Sequence, residues 1–535
     1  MSILIDNPLA FAGACIHSGD YPGAELACRQ VLEWDPGVGE AWFVLGVASQ
    51  LLGKVAESVA YYRNSVRLVP GNAEAWNNLG ASLSSLRRPE EAEKSLRRAL
   101  ELEPGYAQAH NNLGNALQAQ GRFEEALASY NRALHFKPDY SEVYDHVGLV
   151  LQAQGRLAEA VDWFAQALER APELGAVHMN YALACLQRGD FARGWTEYEW
   201  RFRCREHPIL AQGMPPWDGS PLHGRPILLW AEQGLGDSIQ FIRYAPAVAQ
   251  RGGRVIVSCP RPLERILATC PGVAQVIPEG TPQVNFACHA ALMSLPRIFG
   301  TALDTIPSDV PYLAADPALA TQWRDELGQC DGFKIGIAWQ GNPDHKKDRH
   351  RSFRLARFEL LAGIPGLKLF SLQKGLGTEQ IEELSGRFPV TDLGGRLDDF
   401  MDTAALVQNL DLVITPDTSL AHLAGALGVP VWVAIPFASD WRWLLDREDT
   451  PWYPTMRLFR QRRWGDWDDV FSRMAQELSE IAAVEPTASP GTLKDGRVRR
   501  RPARCAARSR ECEASGDHAR GVDHAQIRMP LGPGD

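Results

Sequence analysis

Along the first 200 residues, small, large apolar and polar positions return with a period of 34. Prolines stand at Pro36, Pro70, Pro104, Pro138 and Pro172, and glycines at Gly46, Gly80, Gly114 and Gly148, with Ala182 in the next place. A large residue precedes each of these small ones by four: Trp42, Trp76, His110, Tyr144 and His178. Ser58, Ala92, Ala126, Ala160 and Gly194 mark a second small position. Small residues let two helices cross closely, and proline cannot continue a helix. The pattern therefore predicts helix pairs stacked into a solenoid.

A 34-residue unit of this kind is the mark of tetratricopeptide repeats. Five regular units fill roughly 5–172 and a degenerate sixth covers 175–206, so the solenoid is expected over 1–206. Such an array leaves a concave surface for a partner. Asn78, Asn112 and Asn180 share one repeat position, with His146 between them. They read either as a solvated polar face or as a ladder that resembles that of the O-linked N-acetylglucosamine transferases, which implies a grip on extended peptide backbone.

Beyond a Pro/Gly/Trp-containing linker (207–225) the periodicity changes. Short apolar runs alternate with helix-period segments, which predicts strands at 226–231, 254–259 and 273–277, then near 334–340, 367–373, 390–394, 411–416 and 430–436. Alternation of this kind implies parallel sheets covered on both faces. Two Rossmann-like α/β lobes are expected, 226–325 and 326–484, with a cleft at the carboxyl ends of their strands. The segment 485–535 holds ten basic and seven acidic residues and almost no apolar periodicity. It is expected to be a disordered extension rather than a nucleic-acid contact.

Composition narrows the picture. The 535-residue chain carries a net charge of −10, which argues against a nucleic-acid partner, and is 45% hydrophobic and 22% charged, as a folded protein is. No run of about 20 apolar residues predicts a membrane span. Ten cysteines without a Cys-x-x-Cys pair fit reduced thiols, and with no secretory leader in view a cytoplasmic location is expected.

Three clusters carry candidate chemistry. Gly234-Leu-Gly236-Asp237-Ser238 lies at a strand-to-helix turn, where glycines permit close approach; Asp237 is either a helix cap or a base facing the cleft. The turn lacks the full dinucleotide fingerprint and the Walker lysine. Asp417-Thr-Ser-Leu-Ala-His422 opens a helix after the strand at 411–415. Thr418 or Ser419 would cap that helix beside a phosphate-sized site, with His422 on the same face; the plainer reading makes them caps and a core histidine. The third cluster, Lys346, Lys347 and Arg351, follows the second lobe's first strand, and Gln373 with Lys374 ends its next. These would suit phosphate oxygens, or form a charged surface loop. The nearest acidic pair, Asp398 and Asp399, reads as a cap, so no metal or cofactor is expected.

In this order the motifs resemble glycosyltransferase family 9, the heptosyltransferase-like enzymes of the two-lobed GT-B fold, over about 225–484. Trp230-Ala-Glu-Gln-Gly-Leu-Gly-Asp237-Ser-Ile-Gln-Phe-Ile-Arg-Tyr244 and Asp440-Trp-Arg-Trp-Leu-Leu-Asp446 are similar to the wording of bacterial proteins that fuse tetratricopeptide repeats to such a module. The resemblance implies sugar transfer from a nucleotide-diphosphate donor without an obligatory metal, the acceptor on the first lobe and the donor on the second. It implies Asp237 as base, Gly234, Gly236 and Ser238 as its loop, and Asp417, Thr418 and His422 as the donor loop. Ser419 stands where these enzymes usually have glycine, and no single lysine matches theirs. A non-catalytic repeat scaffold and a nucleotide-sugar epimerase are the alternative functions.

Overall fold

The computed structural model describes residues 7–204, 213–281, 285–345 and 348–484. Lys346, Lys347, part of the expected linker and the whole 485–535 tail lie outside the described residues.

The 34-residue register builds helix pairs from Pro8–Ser18 with Tyr21–Trp34 through to Gly175–Arg188 with Phe191–Tyr198. Its small positions are explained by packing. A Cβ on Gly46, Gly80, Gly114 or Gly148 would lie 2.6, 2.5, 2.4 or 2.6 Å from the side chain of Tyr62, Leu96, Tyr130 or Phe164. The large residues have a polar role as well. Trp42, Trp76, His110, Tyr144 and His178 donate to the carbonyls of Pro36, Pro70, Pro104, Pro138 and Pro172 at 2.8–3.0 Å. Each helix pair is thus tied to the proline turn before it. A further 34-residue position needs left-handed backbone: Gly19, Gly53, Gly121, Gly155 and Gly189 occupy it, and Arg87 takes the same place at φ 59°.

The first lobe holds β1 (Pro226–Trp230), β2 (Arg254–Cys259), β3 (Val273–Pro278) and β4 (Cys288–Ala291), parallel and ordered β3-β2-β1-β4. The second holds β5 (Phe333–Ile337), β6 (Leu367–Ser371), β7 (Thr391–Asp392), β8 (Leu412–Pro416), β9 (Val431–Ile435) and β10 (Met456–Arg460), parallel and ordered β10-β9-β8-β5-β6-β7. Two strands were not expected. β4 is only four residues with two alanines, and β10 is interrupted by Arg457 and Arg460, so neither reads as a buried run. The order reverses between β1 and β4 and between β5 and β8, which puts a crevice at the carboxyl ends of these pairs.

One apolar core crosses the expected boundary at 206. Leu186, Phe191, Trp195 and Tyr198 of the last repeat share it with Ile227 and Phe241 of the first lobe and Val431 and Trp441 of the second. The described end of the linker also belongs to the first lobe: Trp217 is buried and Pro216 pairs with His289 beside β4. No described helix is long and apolar enough to cross a membrane, and the eight described cysteines are free.

Candidate functional site

The loop after β1 turns into the helix Leu235–Phe241, with Gly234 at its cap position. Asp237 closes that turn: its Oδ2 accepts the Gly234 N–H at 2.8 Å. This is the capping role, and it leaves the second carboxylate oxygen directed across the cleft. There Oδ1 is ion-paired with Arg442 of the second lobe. Arg442 also donates to Asp440 at 2.8 Å and to Gln240 at 2.7 Å. Burial raises the Asp237 pKa, while Arg442 and the Gly234 N–H oppose that rise and Asp440 adds to it. Ser238 is buried and donates back to the Gly234 carbonyl at 3.4 Å.

The facing loop follows β8. Thr418 is the cap residue of the helix Ser419–Ala426, but its hydroxyl pairs with Thr415 at 3.1 Å and makes no bond to the helix N–H groups. The first turn is therefore left without a side-chain cap, which suits an anion. Arg351 donates to the Asp417 carbonyl at 2.8 Å and to Asp348 at 3.2 Å, which draws the loop after β5 to the same end of the sheet. The Asp417 carboxyl is raised by burial and by Asp440, against Arg351 and Arg442. His422 is 5% exposed, 3.0 Å from the Tyr453 hydroxyl and stacked on Trp443. Burial and then Arg442 and Arg243 push its pKa down to about 3, so the ring is neutral.

Several expected ligand residues have structural duties. The Gln373 amide accepts the N–H groups of Trp339 and Gln340 at 3.1 Å and donates to the carbonyls of Gln340 and Leu376, so it shapes the exit of β5. Lys374 donates to the carbonyls of Leu397 and Asp398. Asp399 caps the helix Phe400–Val407, as expected for that acidic pair. In the solenoid, Asn112, His146 and Asn180 bond to Asn77, Asn111 and Asp145 of the preceding repeat at 2.8–2.9 Å, and Asn78 accepts from Asn77 at 3.1 Å. Asn112, His146 and Asn180 thus join neighbouring units along the solenoid.

Residues that the sequence did not single out complete the site. Arg442 and Asp440 lie in the tryptophan-rich segment 440–446, where local pattern gives no sign that their charges reach the other lobe. Arg243, buried under Tyr312, Trp452 and Tyr453, donates to the carbonyls of Gln240 and Trp452 at 2.7 Å and to the Tyr312 hydroxyl at 3.0 Å. Nothing in the local pattern marks it, because its partners come from distant segments.

Tetratricopeptide repeat models match residues 16–73, 77–141 and 148–198, and the glycosyltransferase family 9 (heptosyltransferase) model matches 362–435. The chain thus joins tetratricopeptide repeats to a glycosyltransferase family 9 domain; the matched stretch includes 417–422 but not Asp237. It is similar to Protein FlbA of Caulobacter vibrioides, 28% identical over 341 residues, which cover 56% of this chain and 54% of FlbA. The chain therefore spans about half the length of that relative. Among solved structures, MamA is 28% identical at a TM-score of 0.29, over 31% of this chain and 91% of MamA. TTC0263, a tetratricopeptide protein of Thermus thermophilus, is 26% identical at a TM-score of 0.30, over 34% of this chain and 98% of its own.

Proposed function

We propose that the chain is a glycosyltransferase that moves a sugar from a nucleotide-diphosphate donor to an acceptor hydroxyl, without a metal or other cofactor. The observation that carries this reading is the meeting of two motifs from different lobes: the loop bearing Asp237 lies against the helix start at Thr418 and Ser419, with Gly236 in contact with His422.

In this reading Asp237 Oδ1 accepts the proton of the acceptor hydroxyl as that oxygen bonds to the anomeric carbon. The bond from that carbon to the diphosphate oxygen breaks, and the nucleoside diphosphate leaves with its electron pair. A positioned base contributes about 10²–10⁴-fold. The leaving charge falls to the uncapped N–H groups of Ser419–Ala426 and to Arg351, which preorganised donors stabilise without moving. His422, buried and neutral, supports the helix rather than pairing with phosphate. Lys346 and Lys347 remain candidates for the diphosphate. Gln373 and Lys374 would act on the donor only by shaping its loops. The solenoid would present a protein or glycan acceptor, with surfaces other than the Asn112 and Asn180 amides.

Incubation with a panel of nucleotide-diphosphate sugars tests the reading. Nucleoside diphosphate should be released, and a donor at 100 times its Kd should add about 2.7 kcal/mol to the unfolding free energy. Absence of both release and stabilisation across the panel would remove it.

A further inference from the structure

The loop that carries Asp237 is gripped from the solenoid, not from its own lobe alone. Arg201 forms a bidentate pair with Glu232 at 2.8 and 2.9 Å, the two side chains only 7% and 8% exposed. Arg201 is itself fixed by the Tyr198 carbonyl at 3.0 Å, by Glu199 at 2.7 Å and by Ser294 at 2.7 Å. The next residue, Gln233, sits at φ 61°, a left-handed backbone that a side chain seldom adopts. Its amide donates to the hydroxyl of buried Tyr198 at 2.7 Å. Trp195 stands edge-on to Trp441 of the second lobe at 5.2 Å and to Phe241, at the end of the Asp237 helix, at 5.9 Å, and Trp441 adjoins Arg442.

Apolar contact alone would suffice to dock a solenoid on a domain. A buried bidentate pair and a hydroxyl held on a strained residue fix direction, and they do so one and two residues before the Gly234 turn. We propose that the sixth repeat is a positioning element of the transferase site: Tyr198 and Arg201 set the loop that presents Asp237, and Trp195 sets the segment that presents Arg442. This rests on the transferase reading above. It makes the repeats more than a recruiting arm, because a shift of the last helix pair moves the proton acceptor.

Two variants of the full chain approach the contact from either side. Tyr198→Phe keeps the ring in the core and removes only the hydroxyl; Gln233→Gly removes the amide and relieves the left-handed strain. Both should lower kcat for transfer or donor hydrolysis by about 10- to 100-fold while donor KM changes less than about twofold. Amide hydrogen exchange over 231–241 should accelerate in both, with little change in melting temperature. A fall in melting temperature with kcat per folded molecule unchanged would make the contact merely structural and overturn the proposal. If the wild type releases nothing from any nucleotide sugar, the transferase reading fails by itself, and the exchange measurement still decides: unaltered exchange over 231–241 overturns the positioning role.

Discussion

Gly236 packs against the imidazole of His422: a Cβ at that position would come within 2.7 Å of His422 Cδ2 and 3.4 Å of the Ser419 Cα. The glycine turn of one lobe and the helix start of the other are therefore a single packed unit, and the absence of a side chain at 236 is what lets them meet.

Gly236→Ala should accordingly force the two loops apart. Overpacking of this kind costs about 1–3 kcal/mol. Chemical denaturation should show that loss, and donor binding should weaken with it. A variant as stable as wild type would show that the lobes can part at no cost.

The neutral state of His422 predicts a specific acid response. Its folded pKa of about 3 lies below the value near 6.5 of an exposed histidine, because burial and the charges of Arg442 and Arg243 oppose protonation, with Asp440 acting the other way. Between those values the unfolded chain binds the extra proton, so this group removes stability as pH falls from about 6.5 towards 3, by up to about 1.4 kcal/mol per pH unit. His422→Gln keeps a partner for Tyr453 and cannot titrate. Its unfolding free energy should therefore decline less steeply with acid than that of the wild type; parallel curves would contradict the assignment.

The reach of the sequence was uneven, and the pattern of success has a physical reason. Local periodicity reports what each residue does within its own element, so the proline, glycine and aromatic registers and most strands were legible. Asp237, Asp417 and Thr418 were also legible, since strand-end turns place them at the crevice. Arg442, Arg243, Tyr198 and Arg201 were not, because each acts on a segment far away in the chain. Gln373 and the shared asparagine position had the right chemistry for ligands, yet their bonds go to backbone and to the neighbouring repeat.

Arg87 offers a stability test of the repeat register. It holds a left-handed position that glycine fills in the neighbouring units, at φ 59°. A side chain there costs about 1 kcal/mol relative to glycine. Arg87→Gly should raise the unfolding free energy by up to about 1 kcal/mol in thermal or urea melts, and a loss of stability would show that the Arg87 side chain makes a compensating contact.

Truncation separates the array from the module it joins. Because Phe191, Trp195 and Tyr198 belong to the core of the lobes, a chain lacking 1–205 would expose that apolar surface and should aggregate. Removal of 1–172 keeps the last helix pair in that core but bares Val177, Tyr181 and Cys185, which pack with the earlier repeats, so this shorter chain should still melt cooperatively by calorimetry, at a lower temperature than the full chain. A soluble, cooperatively melting chain that lacks 1–205 would place the domain boundary at 206 after all.

The most direct test of the central claim is the turnover of Asp237→Asn. An asparagine oxygen can still accept the Gly234 N–H, but its NH2 then faces the Arg442 guanidinium, donor to donor; because Arg442 keeps Asp440 and Gln240, the loss should cost about 3 kcal/mol, the low end of the ~3–5 for a buried pair that loses one partner. Asparagine cannot take a proton from an acceptor hydroxyl. With donor binding retained in calorimetry, kcat for transfer should fall by about 10²-fold or more. Turnover at the wild-type rate in a folded, donor-binding variant would show that Asp237 is only the helix cap and the partner of Arg442.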